Sequence, residues 1–565
     1  LYNREFHQGV LNEDYGEFAG EVIEEARDAF REAYTSTGAF GSMQEFSENV
    51  VCRCGGGVVV AEQDTWFLRY NDEDWKQRAH TLVSQMETIP ENTRSEYDYT
   101  IDWLNEWPCI RNYGLGTRLP FDDDFVIEPL SDSTIYMSYY AIAHRLRDIP
   151  VEDLDRDFFD TLFYGSQAVE NPDERALSLH EEWDYWYPVD YRFSANDLIS
   201  NHLTFYLFHH AELFEPAQWP EGIVIMGMGL LEGEKMSSSK GHVVLPDAAI
   251  EEYGADTVRF FLLNSAEPWQ DYDWRDEQVG SVRDQLGRFW NRAQGIIRTE
   301  TPSQPSLRPI DNWLLSRLQR TIQTVTTSLE AAETRTASQA AFYDFEEDLR
   351  WYHRRTTQDR PGAQWIRQQV LSTRLRLLAP FIPFITNELH EQLTGQSAEM
   401  ASWPAVDDNH INRPLEASET QIGRLVDDIQ DIQQSLSNAD EYIPAADPDH
   451  IEITTAPSWH RAVFESIVQE GADQAEVMST VMQNPELRKR GNAVNDLVGE
   501  LVKFARGRDE KELEALASVN EEETYRRAVT FLEREFDATI NISQTTDASA
   551  SAVPFRPEID LQANQ

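Results

Sequence analysis

Gly229-Leu-Leu-Glu-Gly-Glu-Lys-Met-Ser-Ser-Ser-Lys-Gly241 follows the apolar run Ile223–Met226 and precedes a helix predicted to start near Pro246. A Ser- and Gly-rich loop between a strand and a helix lies at the carboxyl edge of a parallel sheet, where open α/β folds bind ligands. Small residues let backbone amides approach phosphate oxygens closely, and Lys235 and Lys240 add two mobile positive charges. The whole chain has six lysines, so two within one loop is a concentration. The plain alternative is a surface turn in which lysine happens to fall. The loop reading makes Lys235, Met236, Ser237, Ser238, Ser239 and Lys240 candidates for holding phosphates.

The chain on either side agrees with an α/β sheet. From residue 65 to about 263, short apolar strands alternate with helical patterns, with strands predicted at Trp66–Arg69, Ile127–Leu130, Val189–Phe193 and Ile223–Met226. Beyond about Asp276 the strand pattern stops. Amphipathic helices are predicted over Val279–Arg298, Ile310–Glu333, Ala340–Arg355 and Trp365–Leu393, the last broken at Pro380. Ala401–Pro414 reads as a boundary loop. After it come a helix over Glu419–Leu436, a strand Ile451–Thr455, further helices and a polar tail Ser543–Ala552. The predicted domains are 1–60, a small mixed region; 61–275, the α/β domain; 276–414, a helical bundle; and 415–565, a small α+β domain.

With 565 residues the chain is too long for one ordinary domain. It carries 100 Asp plus Glu against 48 Lys plus Arg, a formal net charge of -52. Such acidity accompanies disorder in some proteins, but 41% hydrophobic residues and 15 Trp supply material for packed cores. Nearly all the positive charge is arginine, and the carboxylates are spread along the whole chain, a halophilic pattern. Near-molar salt shortens the Debye length to about 3 Å, which screens self-repulsion while the acidic surface keeps the protein soluble. Three cysteines, Cys52, Cys54 and Cys109, make no disulfide framework and fit a reducing cytoplasm. No leader or membrane-spanning stretch is apparent in the sequence.

The loop resembles the Lys-Met-Ser-Lys-Ser loop of class I aminoacyl-tRNA synthetases, and the surrounding sequence looks like the archaeal type of leucyl-tRNA synthetase. The matching segments, in the family's order, are Ile101-Asp-Trp-Leu-Asn-Glu-Trp-Pro-Cys-Ile-Arg111, Gly114-Leu-Gly-Thr117, Ile127-Glu-Pro-Leu-Ser-Asp-Ser-Thr-Ile-Tyr-Met137, Asn201-His-Leu-Thr-Phe205 and Leu377-Leu-Ala-Pro-Phe381. The resemblance implies a partial Rossmann-like nucleotide-binding fold, an anticodon-binding bundle and a terminal tRNA-contacting domain. It implies ATP-dependent activation of leucine and transfer to tRNA(Leu), with ATP and its Mg2+, and with Lys235 and Lys240 as catalytic cations. Asp197 and His202 sit at the spacing of the family's Gly-x-Asp-x-x-x-x-His element. This assigns Asp197 to the ATP ribose and His202 to the aminoacyl adenylate, against readings as a helix N-cap and a satisfied, partly buried histidine. Ser131, Asp132, Ser133 and Tyr136 are assigned to the amino acid pocket, although the Ser131–Thr134 stretch reads equally as a helix cap. Trp107-Pro108 and Arg111 would line the active-site floor.

The family's other half-motif, His-x-Gly-His, does not occur in these residues. By the same resemblance, residues 1–60 correspond to the closing edge of an inserted editing domain. A missing amino-terminal half is therefore an expected partner, and this polypeptide is not expected to complete catalysis alone. Ala195 replaces the Gly of the Asp–His element, Ser238 replaces the loop's middle Lys, and Met226 and His242 stand where Asn is usual. These departures leave a second reading open, a divergent paralogue that binds tRNA without activating an amino acid. Cys52-x-Cys54 resembles half a zinc knuckle, but tetrahedral zinc needs four ligands and only Cys109 remains, so no metal is expected. Binding a polyanion at this net charge requires basic islands. Arg350, His353, Arg354 and Arg355 on the third bundle helix, Arg367, Arg374 and Arg376 on the next, and Arg488, Lys489 and Arg490 in the last domain are the candidates, with ion pairing to nearby carboxylates as the alternative.

Overall fold

The computed structural model describes residues 9–41, 46, 50–52, 55–60, 64–236, 241–300, 305–357, 359–438, 446–545 and 551–563. The chain packs as two units, residues 1–76 with 103–134, and residues 77–102 with 135–565.

In the smaller unit, strand Phe67–Arg69 pairs antiparallel with Glu106–Pro108. A second antiparallel sheet has Asp122–Ile127 at its centre, flanked by Ile110–Arg111 and Arg118–Leu119. The predicted strand over Ile127–Leu130 is corrected here, because the strand ends at Ile127 and a helix occupies Pro129–Asp132. Pro129 sets the first helical φ, and the Glu128 carboxylate accepts the backbone N–H groups of Leu130 (3.0 Å) and Ser131 (3.1 Å).

The larger unit is built on a parallel sheet with Gly222–Met226 between Glu87–Ile89 and Tyr191–Ala195. Val224 and Ile223 are fully enclosed, as a β-branched run covered on both faces should be. Helix Thr204–Leu213 is buried on almost all sides, through Phe205, Tyr206, Leu207 and Phe208.

Beyond the sheet, helices run over Asp276–Ile297, Pro309–Glu330, Phe345–Arg355, Pro361–Leu378 and Pro383–Thr394. The break predicted at Pro380 falls between Leu378 and Pro383. A helical stretch from Thr334, with a π turn at Gln339–Asp344, precedes Phe345–Arg355. Packing does not stop at residue 275: Phe260, Phe261 and Trp274 share one core with Phe289, Trp313 and Phe342. The buried Asp256 carboxylate accepts the amides of Phe384 (3.3 Å) and Ile385 (2.7 Å), capping the first turn of Pro383–Thr394. Helix Arg413–Ser437 likewise spans the predicted boundary at 414, with Glu416 accepting from Ser316 and Arg320 of the bundle.

The terminal region centres on strand His450–Thr455, with Thr539–Gln544 parallel on one side and Glu558–Gln562 antiparallel on the other. Ile451 and Ile453 are fully buried in a core with Phe531 and Leu532. Where it is described, at 543–545 and 551–552, the polar stretch Ser543–Ala552 is no tail, and residues 546–550 lie outside the described residues. Ser543 belongs to a strand, Ala552 is buried, and the chain returns as a strand whose Leu561 reaches the core. Nearby, Glu521 accepts the Phe555 amide at 2.8 Å, yet burial pushes its carboxyl up to about 7. Because this pKa is raised in the fold, Glu521 favours the folded state at low pH, and the advantage fades as pH rises toward and through 7. Glu521→Gln should therefore flatten the loss of stability between pH 5 and 8, and at pH 8 should gain about 2 kcal/mol in denaturant unfolding. An unchanged slope would show that this carboxyl does not titrate in the window.

No described helix is long and apolar enough to cross a membrane.

Candidate active site

Two elements leave the carboxyl edge of the parallel sheet side by side. Ala195, the last residue of its strand, pairs with Met226, the last of the central strand. Asp197 follows Ala195 by two residues, and the lysine-bearing segment follows Met226. This is the position at which a parallel sheet offers a ligand crevice.

The lysine-bearing segment is a hairpin. Strand Gly229–Leu231 pairs antiparallel with Glu234–Lys235 and parallel with Tyr272–Trp274. Glu232 and Gly233 both take positive φ, 52° and 85°, the combination for a two-residue turn that matches strand twist. The Gly233 amide is held by the Asp273 carboxylate at 2.8 Å, and that bond, with Arg275, draws the Asp273 carboxyl below its usual range. Gly227 admits no side chain, since a Cβ there would lie 2.2 Å from the Gln270 carbonyl oxygen. Lys235 is exposed and makes no ion pair among the described residues, while Met236 packs on the bundle core and its amide bonds the Gly229 carbonyl (3.2 Å). Ser237, Ser238, Ser239 and Lys240 lie outside the described residues. After them, His242 donates Nε2–H to the Leu231 carbonyl at 3.0 Å, so the residue that departs from the usual Asn ties the end of the loop back to the hairpin.

Asp197 is exposed in a 3-10 turn, Asn196–Leu198, with its backbone carbonyl accepting from Asn201 (3.3 Å). It makes no side-chain N-cap bond to the following turn among the described residues. His202 is buried in a π turn, Ile199–Leu203, an irregularity frequent at functional sites. Arg192 donates to His202 Nδ1 at 3.2 Å, which leaves the proton on Nε2. The Arg192 guanidinium lies over the rings of Tyr206 (4.7 Å) and Tyr136 (5.8 Å). Its Nη1, the Tyr97 hydroxyl and the Tyr206 hydroxyl are enclosed without hydrogen-bond partners among the described residues. Sequence reasoning missed Arg192, Tyr97 and Tyr206. The one available signal was an arginine inside a strand that otherwise reads as half-buried. His210, by contrast, is core: it donates Nδ1–H to the Tyr206 carbonyl (2.8 Å), accepts from Tyr187, and burial pushes its imidazole down to about 3.

In the smaller unit, the Ser131 amide is occupied by Glu128, Ser133 Oγ donates to the Pro129 carbonyl (2.8 Å), and Asp132 accepts from Thr117 (3.3 Å). The capping reading thus accounts for the backbone of Ser131. The Ser131 hydroxyl is enclosed without a partner among the described residues. Arg111 pairs with Glu128 at 3.0 Å, and Trp107 lies in the strand paired with Phe67–Arg69. Cys52 is exposed, Cys109 donates to the Trp66 carbonyl (3.3 Å), and Cys54 lies outside the described residues. No group of three or more His, Cys, Asp or Glu that could hold a metal is present among the described residues.

Residues 163–292 match the family description "tRNA synthetases class I (M)", and residues 311–452 match "Anticodon-binding domain of tRNA ligase". The whole chain aligns with the leucine-tRNA ligases of Methanothermobacter thermautotrophicus at 37% identity, Methanopyrus kandleri at 38% and Pyrococcus abyssi at 37%. Over its whole length the chain is similar to leucine-tRNA ligases. It spans 60%, 59% and 59% of the length of those three ligases. A solved methionyl-tRNA synthetase of Mycobacterium tuberculosis, bound by methionyl-adenylate, gives a TM-score of 0.46 at 17% identity over 62% of this chain and 69% of that one.

The basic side chains assigned to tRNA have mixed surroundings. Arg355 is buried against the equally buried Glu419 (2.8 Å), and Arg354 reaches Glu535 at 2.6 Å, so both tie the bundle to the terminal region. Arg350 is exposed, with Glu347 at 3.3 Å. Lys489 pairs with Glu486 (2.6 Å), Arg488 is exposed, and Arg490 lies over the Trp459 ring at 4.8 Å. Ion pairing, the alternative that composition favours, thus buries Arg355, engages Arg354, and also reaches the exposed Arg350 and Lys489.

Proposed function

We propose that this chain supplies the phosphate-gripping half of a leucine-activating site and the helical region that receives tRNA(Leu). The observation that carries the reading is the shared sheet edge from which both Asp197 and the Lys235 hairpin emerge. In the first step an oxygen of the leucine carboxylate forms a bond to the α-phosphorus of ATP while the bond to the bridging oxygen breaks and pyrophosphate leaves. Negative charge grows on the departing phosphates, and the Lys235 ammonium, mobile and without a competing carboxylate among the described residues, meets it there. Lys240 would share that task, and Mg2+ enters with the triphosphate as part of the substrate. The Asp197 carboxylate accepts hydrogen bonds from the ribose hydroxyls. His202, oriented by the Arg192 guanidinium at its Nδ1, faces the adenylate, while Tyr136 and Tyr206 fix that guanidinium. In the second step a terminal tRNA hydroxyl attacks the activated carbonyl and AMP departs.

Leucine-dependent exchange of pyrophosphate into ATP, measured near molar KCl on the whole protein that carries this chain, tests the reading. Leucine should support exchange well above isoleucine, valine or methionine. Retained tRNA binding with no exchange for any amino acid would replace it with a tRNA-binding paralogue that lacks activation.

A further inference from the structure

A cavity of about 400 Å³ opens among helices Asp276–Ile297, Phe345–Arg355 and Pro361–Leu378, away from the sheet edge described above. Phe289, Ile296 and Leu371 contribute apolar surface to it. Four arginines, Arg292, Arg350, Arg367 and Arg374, line it together with His353 and a single carboxylate, Glu346. In a chain with 100 carboxylates and 48 basic side chains, a concavity with this excess of cations runs against composition.

These arginines differ in their partners, and Arg350 has the exposed Glu347 at 3.3 Å. Arg374 is buried and satisfied by Glu346 (2.9 Å) and the carbonyls of Ala341 (2.9 Å) and Phe342 (2.6 Å), and Arg292 takes the other oxygen of Glu346. Arg367 has no such partner. It is half-buried, makes no ion pair among the described residues, and its Nε is enclosed without a hydrogen bond. Burial pushes its pKa down from the ordinary arginine value, and the one opposing contribution is Tyr352 rather than a carboxylate. His353 Nδ1 is also enclosed and unpartnered among the described residues. A guanidinium partly withdrawn from water, with no carboxylate beside it, gains when an anion arrives.

We propose that this cavity is a binding site for one nucleotide unit. Arg367 and Arg350 hold its phosphate, and Phe289 and Leu371 receive its base, with His353 at the edge of the base. The volume far exceeds a bare phosphate, and a planar fork suits paired phosphate oxygens. Two of the three helices lie within the stretch matching the anticodon-binding description, which favours a nucleotide over other amphipathic anions. The unit is either a free mononucleotide or an unpaired nucleotide of the bound RNA, and the RNA case rests on the tRNA reading above.

The test is calorimetry near molar KCl with a nucleoside monophosphate, the matching nucleoside and inorganic phosphate, alongside filter binding of tRNA(Leu), on wild type, Arg367→Gln and Arg350→Gln. Binding of the monophosphate at one site, stronger than either fragment and weakened at least tenfold by Arg367→Gln, supports the free-nucleotide case. No monophosphate binding, with tRNA affinity falling at least tenfold in Arg367→Gln, supports the RNA case. Arg350→Gln lies at an exposed position that does not threaten the fold, and a loss of about threefold or more is expected in whichever assay responds. If neither ligand responds to either folded variant while wild type binds tRNA, the cavity proposal falls and the tRNA reading stands. If wild type binds no tRNA, the tRNA reading falls, and the monophosphate titration alone decides the cavity.

Discussion

Lys235→Ala is expected to lower leucine-dependent pyrophosphate exchange by about a hundredfold to a thousandfold, the range for removing one charge that stabilises a phosphoryl-transfer transition state. Lys235 ends a two-strand hairpin whose backbone is fixed by pairing to Leu230 and by the Met236 amide on the Gly229 carbonyl. Its side chain is exposed and makes no ion pair among the described residues, so truncation removes a charge and almost no packing. The unfolding midpoint should therefore stay within the usual scatter of a surface substitution while the exchange rate collapses. On the proposed role, in which the charge meets the departing phosphates, the loss should appear mainly in kcat. Lys235→Arg keeps the charge in a planar fork and should recover part of the rate. Undiminished exchange in the alanine variant would remove Lys235 from the mechanism.

The largest expected effect on stability lies far from that loop. Asp311 is fully enclosed at the start of helix Pro309–Glu330 and accepts four donors. These are the Arg308 amide (2.7 Å), the Tyr352 hydroxyl (2.6 Å), and Nη1 (2.8 Å) and Nη2 of Arg360. One carboxylate thus joins the first turn of one bundle helix, the interior of Phe345–Arg355 and the residue that precedes Pro361–Leu378. The bond to Asp311 is also the main reason the Arg360 pKa stands above its ordinary value. Asp311→Ala leaves a nearly buried guanidinium and a buried hydroxyl without their acceptor, and breaking such a pair from one side costs about 3–5 kcal/mol. Asp311→Asn keeps the shape and some acceptor capacity and should cost less. Urea unfolding near molar KCl measures both. A loss below about 1 kcal/mol for the alanine variant would mean that the bundle does not depend on this network.

The sheet, the bundle and their order were legible because each rests on contiguous residues. Ile223–Met226 reads as a strand from its own apolar run, and Asp276–Ile297 as a helix from its own periodicity. The readings that moved did so where a local competitor intervened. Pro129 and Glu128 turned the end of one predicted strand into a capped helix, and a sheet partner five residues long drew a polar-looking terminus into the core. Domain limits were less legible, because Phe260 and Trp274 look like the close of one region yet pack in the core of the next.

The candidate site divides in the same way. Lys235, Asp197 and His202 are candidates from motif spacing, whereas Arg192 joins them only through its guanidinium contact with His202. The basic residues show the contrast most clearly. By itself the sequence determined the α/β class, the helical bundle and the presence of basic clusters on particular helices. Only the tertiary structure decided that Arg354 and Arg355 are spent on Glu535 and Glu419 while Arg367 keeps an open position beside a cavity. Backbone preference is written in neighbouring residues. In a chain this acidic, which carboxylate an arginine meets is set by how distant helices pack, and no local pattern encodes that choice.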